Sequence, residues 1–197
     1  MEFIYLMAQK IHSYVGTLLS SCNLHNLYIM GFAEEYPLSL DLWHPAAPCS
    51  LRKLCIEGCP CYKVPNWMGS PGNLVVLKLT IICLRPEDVE ILGAIPSLLF
   101  LELKTAGGTK GRIIVRGNNG FRSLKYFSLR ICYCGTALEF QVGSMPNLDQ
   151  MCVYVNDNSV RCVFFSAISD AIMTLPNRPT VRFETWFDGC QHLECMS

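Results

Sequence analysis

The hexapeptides LVVLKL (residues 74–79) and LLFLEL (residues 98–103) decide how this chain is read. Both have the form L-x-x-L-x-L. A single copy would carry little weight, because any half-buried strand can show it. The pattern recurs, however. LHNLYI starts at Leu24, LRKLCI at Leu51, LKYFSL at Leu124 and LDQMCV at Leu148. The six starts are separated by 27, 23, 24, 26 and 24 residues. The residues just before them are also alike: CNL, CSL, GNL, PSL, RSL and PNL. Turn formers at one fixed place bring the chain back into the next strand.

A period of roughly 20–29 residues with this pattern marks a leucine-rich repeat. Along each strand the last two leucine-type positions face inward and their neighbours face outward. One strand cannot bury its face alone, whereas a parallel stack builds a continuous core. The expected fold is therefore an α/β leucine-rich-repeat solenoid, a horseshoe arc. Its parallel sheet lines the concave face, and short helices or irregular returns lie on the convex face. RPEDVEILGAIP (85–96) predicts a short helix, with Pro86 early and acids in the first turn. KVPNWMGSPG (63–72) is too broken by Pro and Gly for a regular helix and predicts a 3₁₀ or extended return. KTAGGTKGRIIVRGNNG (104–120) reads as a loop with a short strand at Ile113–Val115; it lacks the phosphate-binding G-x-x-x-x-G-K-[ST].

The reading gives one domain over 1–197. Apolar residues at Phe3, Met7, Ile11, Tyr14 and Leu18 predict a partial repeat helix over 1–20. Six repeats occupy 21–155. A cap fills 156–197: a helix from Phe164, Ile168, Ile172 and Leu175, then a strand from Val181, Phe183, Thr185 and Phe187.

Composition removes several function classes. Half the residues are apolar, 16% are charged, and the formal net charge is zero. Basic residues do not cluster, so nucleic-acid binding by phosphate neutralisation is not expected. MEFIYLMAQK carries an acid where a signal peptide needs positive charge. The run Leu74–Leu84 is broken by Lys78 and is too short to span a membrane. A cytoplasmic protein is expected, and its twelve cysteines then behave mainly as small buried hydrophobes.

Four of those cysteines, Cys49, Cys55, Cys59 and Cys61, are crowded enough to resemble a zinc site. The register dissolves the cluster. Cys59 and Cys132 lie eight residues after Leu51 and Leu124, where this repeat class favours Asn or Cys, and Asn156 fills the same place after Leu148. Cys61 and Cys134 follow two residues later, three repeats apart, too far to share one ion. Cys55 and Cys152 should face outward. Only Cys59, Cys61 and Cys83 remain as thiols that adjacent repeats bring near each other, and no metal or cofactor is expected. The histidines, His12, His25, His44 and His192, are scattered. Apart from a Cys22–His25 pair there is nothing to weigh as a dyad, and no enzyme is expected.

The informative surface is the outward face of the strands. Register places Tyr28, Lys53, Lys78, Phe100, Glu102, Lys104, Tyr126, Arg130 and Tyr154 there as candidate protein-binding residues, with Lys78 and Glu102 on adjacent strands as an ion pair. Aromatic residues mixed with Arg are typical of protein interfaces; they also suit exposed strands in general.

The wording of the repeats adds to this. SLRKLCIEGCP (50–60), VPNWMGSPGNLVVLKLTI (64–81), RPEDVEILGAIPSLLFLELKT (85–105), FRSLKYFSL (121–129) and MPNLDQMCVYV (145–155) resemble the repeat region of plant coiled-coil nucleotide-binding leucine-rich-repeat disease-resistance proteins, those of grasses above all. AISDAIMTLPNRPTVRFE (167–184) looks like that family's closing helix and strand. The resemblance implies a defence role. The partner would be a pathogen effector, a guarded host protein or the receptor's own nucleotide-binding domain. This sequence has no P-loop and no coiled coil, so nucleotide switching does not carry over. A truncated family member or a gene fragment is expected, with self-association through an open N-terminal core edge. The alternatives are a leucine-rich-repeat substrate adaptor of a ubiquitin ligase and a thiol- or zinc-dependent enzyme.

Overall fold

The computed structural model describes residues 2–5, 15, 24–31, 37–43, 50–69, 72–107, 112–117, 120–131, 137–156, 172–173 and 175–186. Within them run ten strands: β1 (Glu2–Tyr5), β2 (Asn26–Met30), β3 (Lys53–Glu57), β4 (Val76–Ile81), β5 (Phe100–Thr105), β6 (Arg112–Val115), β7 (Tyr126–Ile131), β8 (Ala137–Phe140), β9 (Gln150–Asn156) and β10 (Thr180–Trp186). Eight form one sheet in the order β1-β2-β3-β4-β5-β7-β9-β10, and β6 pairs with β8 in a second. Every pairing is parallel. The strands follow one another in chain order because each return is short enough to reach only its neighbour.

Register turns the leucine pattern into a core. Leu27, Leu54, Leu77, Leu101, Phe127, Met151 and Val181 form one column across the sheet. Leu79, Leu103, Leu129, Val153 and Phe183 form another. From Leu27 to Met151 the first column is buried throughout. The expected repeats are thus in register at all six hexapeptides.

Strands β3, β4, β5, β7 and β9 begin with the same forked bond; at β3 the N–H groups of Arg52 and Lys53 both donate to the His25 carbonyl. The N–H groups of Val75 and Val76 both donate to the Arg52 carbonyl, those of Leu99 and Phe100 to Val75, those of Lys125 and Tyr126 to Leu99, and those of Asp149 and Gln150 to Lys125. The turn formers before Leu98, Leu124 and Leu148 have a second task. Ser97 Oγ donates to the carbonyls of Gly72 and Leu74, Ser123 Oγ to Pro96, and Asn147 Nδ2 to Arg122. A side chain from one repeat thereby satisfies backbone carbonyls of the repeat before it.

On the return side, 3₁₀ turns occur at Leu40–Leu42 and Asn66–Gly69. The latter lies in the return expected to be 3₁₀ or extended. The helix α1 (Pro86–Gly93) forms within the predicted segment, with Pro86 in its first turn. Asp88 is buried and accepts hydrogen bonds from the Val64 N–H (2.8 Å) and the Arg85 N–H (3.0 Å). It ties the helix start to the previous return. Burial holds the carboxyl above its ordinary range, although both N–H groups and Arg85 pull it down. Asp88→Ala should lower the unfolding free energy by about 2 kcal/mol in urea titrations, because it orphans two donors. The sign with pH follows from the raised value. The folded state binds this proton more tightly than the unfolded chain, so the group's contribution is fully present below the ordinary carboxylate pKa and is lost as pH rises through the folded value.

One expectation is corrected. The stretch 1–20 does not begin as a helix. Residues Glu2–Tyr5 are a strand, paired from Glu2↔Leu27 to Tyr5↔Met30. The unpaired edge of β2 offers backbone groups that a strand satisfies and a helix cannot. Within that stretch, only Val15 is described further on; it is helical and buried. Ile113–Val115 is a strand as expected, and β8 pairs with it, Ile113↔Leu138 and Val115↔Phe140. Of the closing element, Ile172 and Met173 are helical and β10 extends the main sheet beside β9; Phe164, Ile168 and Phe187 lie outside the described residues. So do the loop residues 108–111 and 118–119.

Candidate protein-interaction face

Alternation sends every second strand residue to the concave face, and register sorts those residues into rows. The first row runs Asn26, Lys53, Val76, Phe100, Tyr126, Gln150 and Thr180. The second runs Tyr28, Cys55, Lys78, Glu102, Ser128, Cys152 and Arg182. A third includes Thr80, Lys104, Arg130, Tyr154 and Glu184. All nine sequence-predicted residues lie on this one face.

Several of them touch. The rings of Phe100 and Tyr126 stack at 4.4 Å with 6° between their planes. That separation is close to the spacing of adjacent strands, so register alone brings the rings into contact. Lys78 Nζ lies 3.0 Å from Glu102 Oε2 and 5.6 Å from the Phe100 centroid. Burial pulls the Lys78 pKa down, but the Glu102 bond and charge, with Cys55 and Glu57, outweigh it and hold the ammonium above its ordinary value. The pair is partly exposed, so its stabilisation is modest, under about 1 kcal/mol. Lys53 Nζ sits 4.8 Å over the Tyr28 ring, and Arg130 sits 5.1 Å over Tyr154. A hydrogen bond with Cys152, then burial, pushes the Tyr126 phenol up. Burial, then the Glu184 charge, raises Tyr154.

The middle row differs from expectation. Cys55 and Cys152 are on the outward face, yet both are buried, as is Ser128. They are short side chains in a row flanked on both sides by longer ones. Burial accordingly lifts the Cys55 thiol despite nearby Lys53 and Lys78. A shallow pocket of about 320 Å³ opens beside this row, lined among others by Glu57, Lys78, Thr80, Glu102, Lys104 and Arg130. Glu57 and Thr80 were assignable to the face by register; nothing in the sequence marked them as pocket walls.

The residual thiols resolve differently. Cys59 and Cys61 are fully buried, and burial raises both, with the Cys59 charge adding to Cys61. Metal ligation and nucleophilic attack both need the thiolate, which burial disfavours. Cys59 Sγ fills the space left by the missing side chain of Gly31. Cys61 N–H donates to the Thr80 carbonyl, and its own carbonyl accepts from Ile82, so it stitches adjacent returns. Cys83 is disulfide-bonded and does not join the other two as a third free thiol. Among the described residues no group of three His, Cys, Asp or Glu is placed to hold a metal. His25 Nδ1 lies 3.1 Å from the Ser50 carbonyl oxygen, a tie between consecutive repeats. Cys22, Cys132, Cys134 and the other histidines lie outside the described residues. No helix among them is long and apolar enough to cross a membrane.

Residues 5–196 match the family model described as leucine-rich repeat region. The chain is also 32% identical over 95 residues to "Disease resistance protein RGA5" of Oryza sativa subsp. japonica. That alignment covers 48% of this chain and only 8% of the rice protein. No solved structure matches significantly.

Proposed function

Because the chain belongs to the leucine-rich repeat region family, we propose that it is a protein-interaction module of the plant immune-receptor type, acting in the cytoplasm without catalysis. Its concave strand face is the binding surface, and the partner is a pathogen effector, a guarded host protein or a receptor's nucleotide-binding domain. The likeness to a rice disease-resistance protein supports the defence setting. The observation that carries the binding surface is the stacked Phe100–Tyr126 pair with cations over Tyr28, Phe100 and Tyr154. Rigid aromatic area beside charge is what interface hot spots are made of. Self-association belongs to the same reading: Phe183, at a core-facing register position on β10, is 39% exposed. The test is photo-crosslinking in a plant-cell extract, with the reactive side chain placed at Phe100 on the face or at Glu87 on the return side. A protein adduct is expected from position 100, identified by mass spectrometry and re-bound in purified form. Adducts from position 87 alone would show that the concave face is not the binding surface.

A further inference from the structure

We propose that the partner seats an amphipathic α-helix of about 13 residues on this face, laid across the strands with its C-terminal end over Arg52 and Lys53; this rests on the interaction-face reading above. The argument starts from the first row. Between β3 and β9 it reads Lys53, Val76, Phe100, Tyr126 and Gln150. Successive strands β4, β5 and β7 thus offer apolar or aromatic area, and Phe100 and Tyr126 are stacked into one slab. Leu99, just before β5, is exposed and extends that area at the strand entries. Lys53, the row's only charged residue, stands at the β3 end over the Tyr28 ring, with exposed Arg52 next to it in the chain. Neither Arg52 nor Lys53 makes an ion pair among the described residues.

A helix fits this row and an extended segment does not. Strands β3, β4, β5, β7 and β9 each have a neighbour on both sides, so the face has no backbone groups to lend. A helix satisfies its own, whereas a strand lying flat on the row would leave N–H and C=O groups orphaned. One helical turn rises about 5.4 Å and adjacent strands are about 4.8 Å apart. Side chains one turn apart therefore meet Val76, Phe100 and Tyr126 in succession, with a drift of only about 1 Å. The span from β3 to β9 is about 19 Å, which sets the length at about 13 residues. Charge sets the direction. The open carbonyls at a helix C-terminus carry partial negative charge, and Arg52 and Lys53 complement it. The opposite end reaches neutral Gln150, beside the mutually compensated Lys125–Asp149 pair.

The probe is a fluorescein-labelled Ala/Gln peptide of that length. It carries leucines one turn apart on one side, a hydrocarbon staple on the other and a free C-terminal carboxylate. Followed by anisotropy at low salt, it should bind the intact chain. An isomer with the leucines spread around the helix, and so without an apolar stripe, should bind at least about tenfold more weakly. Replacing the terminal carboxylate by an amide, or the cations by Arg52→Gln/Lys53→Gln, should each weaken binding about fivefold. Phe100→Ala should weaken it at least about tenfold, and Val142→Ala, at an exposed apolar position beyond β8, should leave it unchanged. Circular dichroism confirms that each variant is folded, and the two peptide comparisons need no variant. No binding by the intact chain would overturn the proposal, as would equal binding of the spread isomer or of the amide. Equal binding by the Arg52→Gln/Lys53→Gln or Phe100→Ala chain would also overturn it. The two readings fail separately. A partner captured through position 100 whose cross-linked segment is extended when bound sinks the helix and leaves the face standing. No adduct at position 100 removes the face itself.

Discussion

Gly58→Ala is expected to lower the unfolding free energy by about 3 kcal/mol. Two costs act together. Gly58 has φ +73°, a conformation that a residue with a Cβ adopts only at a penalty. An added Cβ would also overlap the carbonyl oxygen of Gly31. That atom is backbone and cannot swing aside, because the Gly31 N–H is bonded to the Glu57 carbonyl at 2.9 Å. The two glycines occupy the same register, seven residues after Leu24 and Leu51, and their backbones approach closely where the parallel β2 and β3 end. Gly69→Ala is the control. It has no positive φ, and its added Cβ would meet Ile91 at an ordinary 3.5 Å. A urea midpoint for Gly58→Ala matching that of Gly69→Ala would show that the approach is not tight.

Leu101→Ala should cost about 3–4 kcal/mol, because it removes buried methyl groups and leaves a cavity that the stack cannot close. Leu101 is fully buried and stands in register between Leu77 and Phe127. Both neighbours are fixed by parallel pairing on their own strands, which limits collapse into the void. In a stacked fold each repeat relies on its neighbours, so the loss should weaken β4 and β7 as well as β5. Hydrogen exchange should therefore quicken at the amides of Leu79 and Leu129 as well as at Leu103. Faster exchange confined to β5 would contradict that coupling. Leu99→Ala, one strand position from the core and 42% exposed, should cost well under half as much.

The face shows how far residue-level reading reaches. Lys78–Glu102 was legible because a period of 24 residues between Leu74 and Leu98 puts those two side chains opposite each other. The Phe100–Tyr126 stack follows from the same counting, with 26 residues between starts. Cys55 and Cys152 were placed on the correct side, but their burial was not foreseen. Direction is set by strand alternation, whereas accessibility depends on the length of side chains in the adjacent rows. The N-terminal segment was misread because Phe3 and Met7 fit a helical spacing while EFIY also suits a strand. Local pattern could not decide between them; the open edge of β2 did.

What the sequence alone determined is the repeat, its register and the set of side chains on each face. These depend on period and alternation, which are properties of the chain read residue by residue. What only the tertiary structure decided are the contacts between repeats that no period encodes. Ser97, Ser123 and Asn147 look like turn formers, and they become staples to the preceding repeat. Asp88 looks like a helix-start acid, and it anchors the previous return. Phe121 and Met145, each three residues before a repeat leucine, take positive φ values of 56° and 48°. No propensity predicts this for bulky residues. Both side chains are buried, and the apolar surface they remove from water offsets a backbone strain of about 1–2 kcal/mol each.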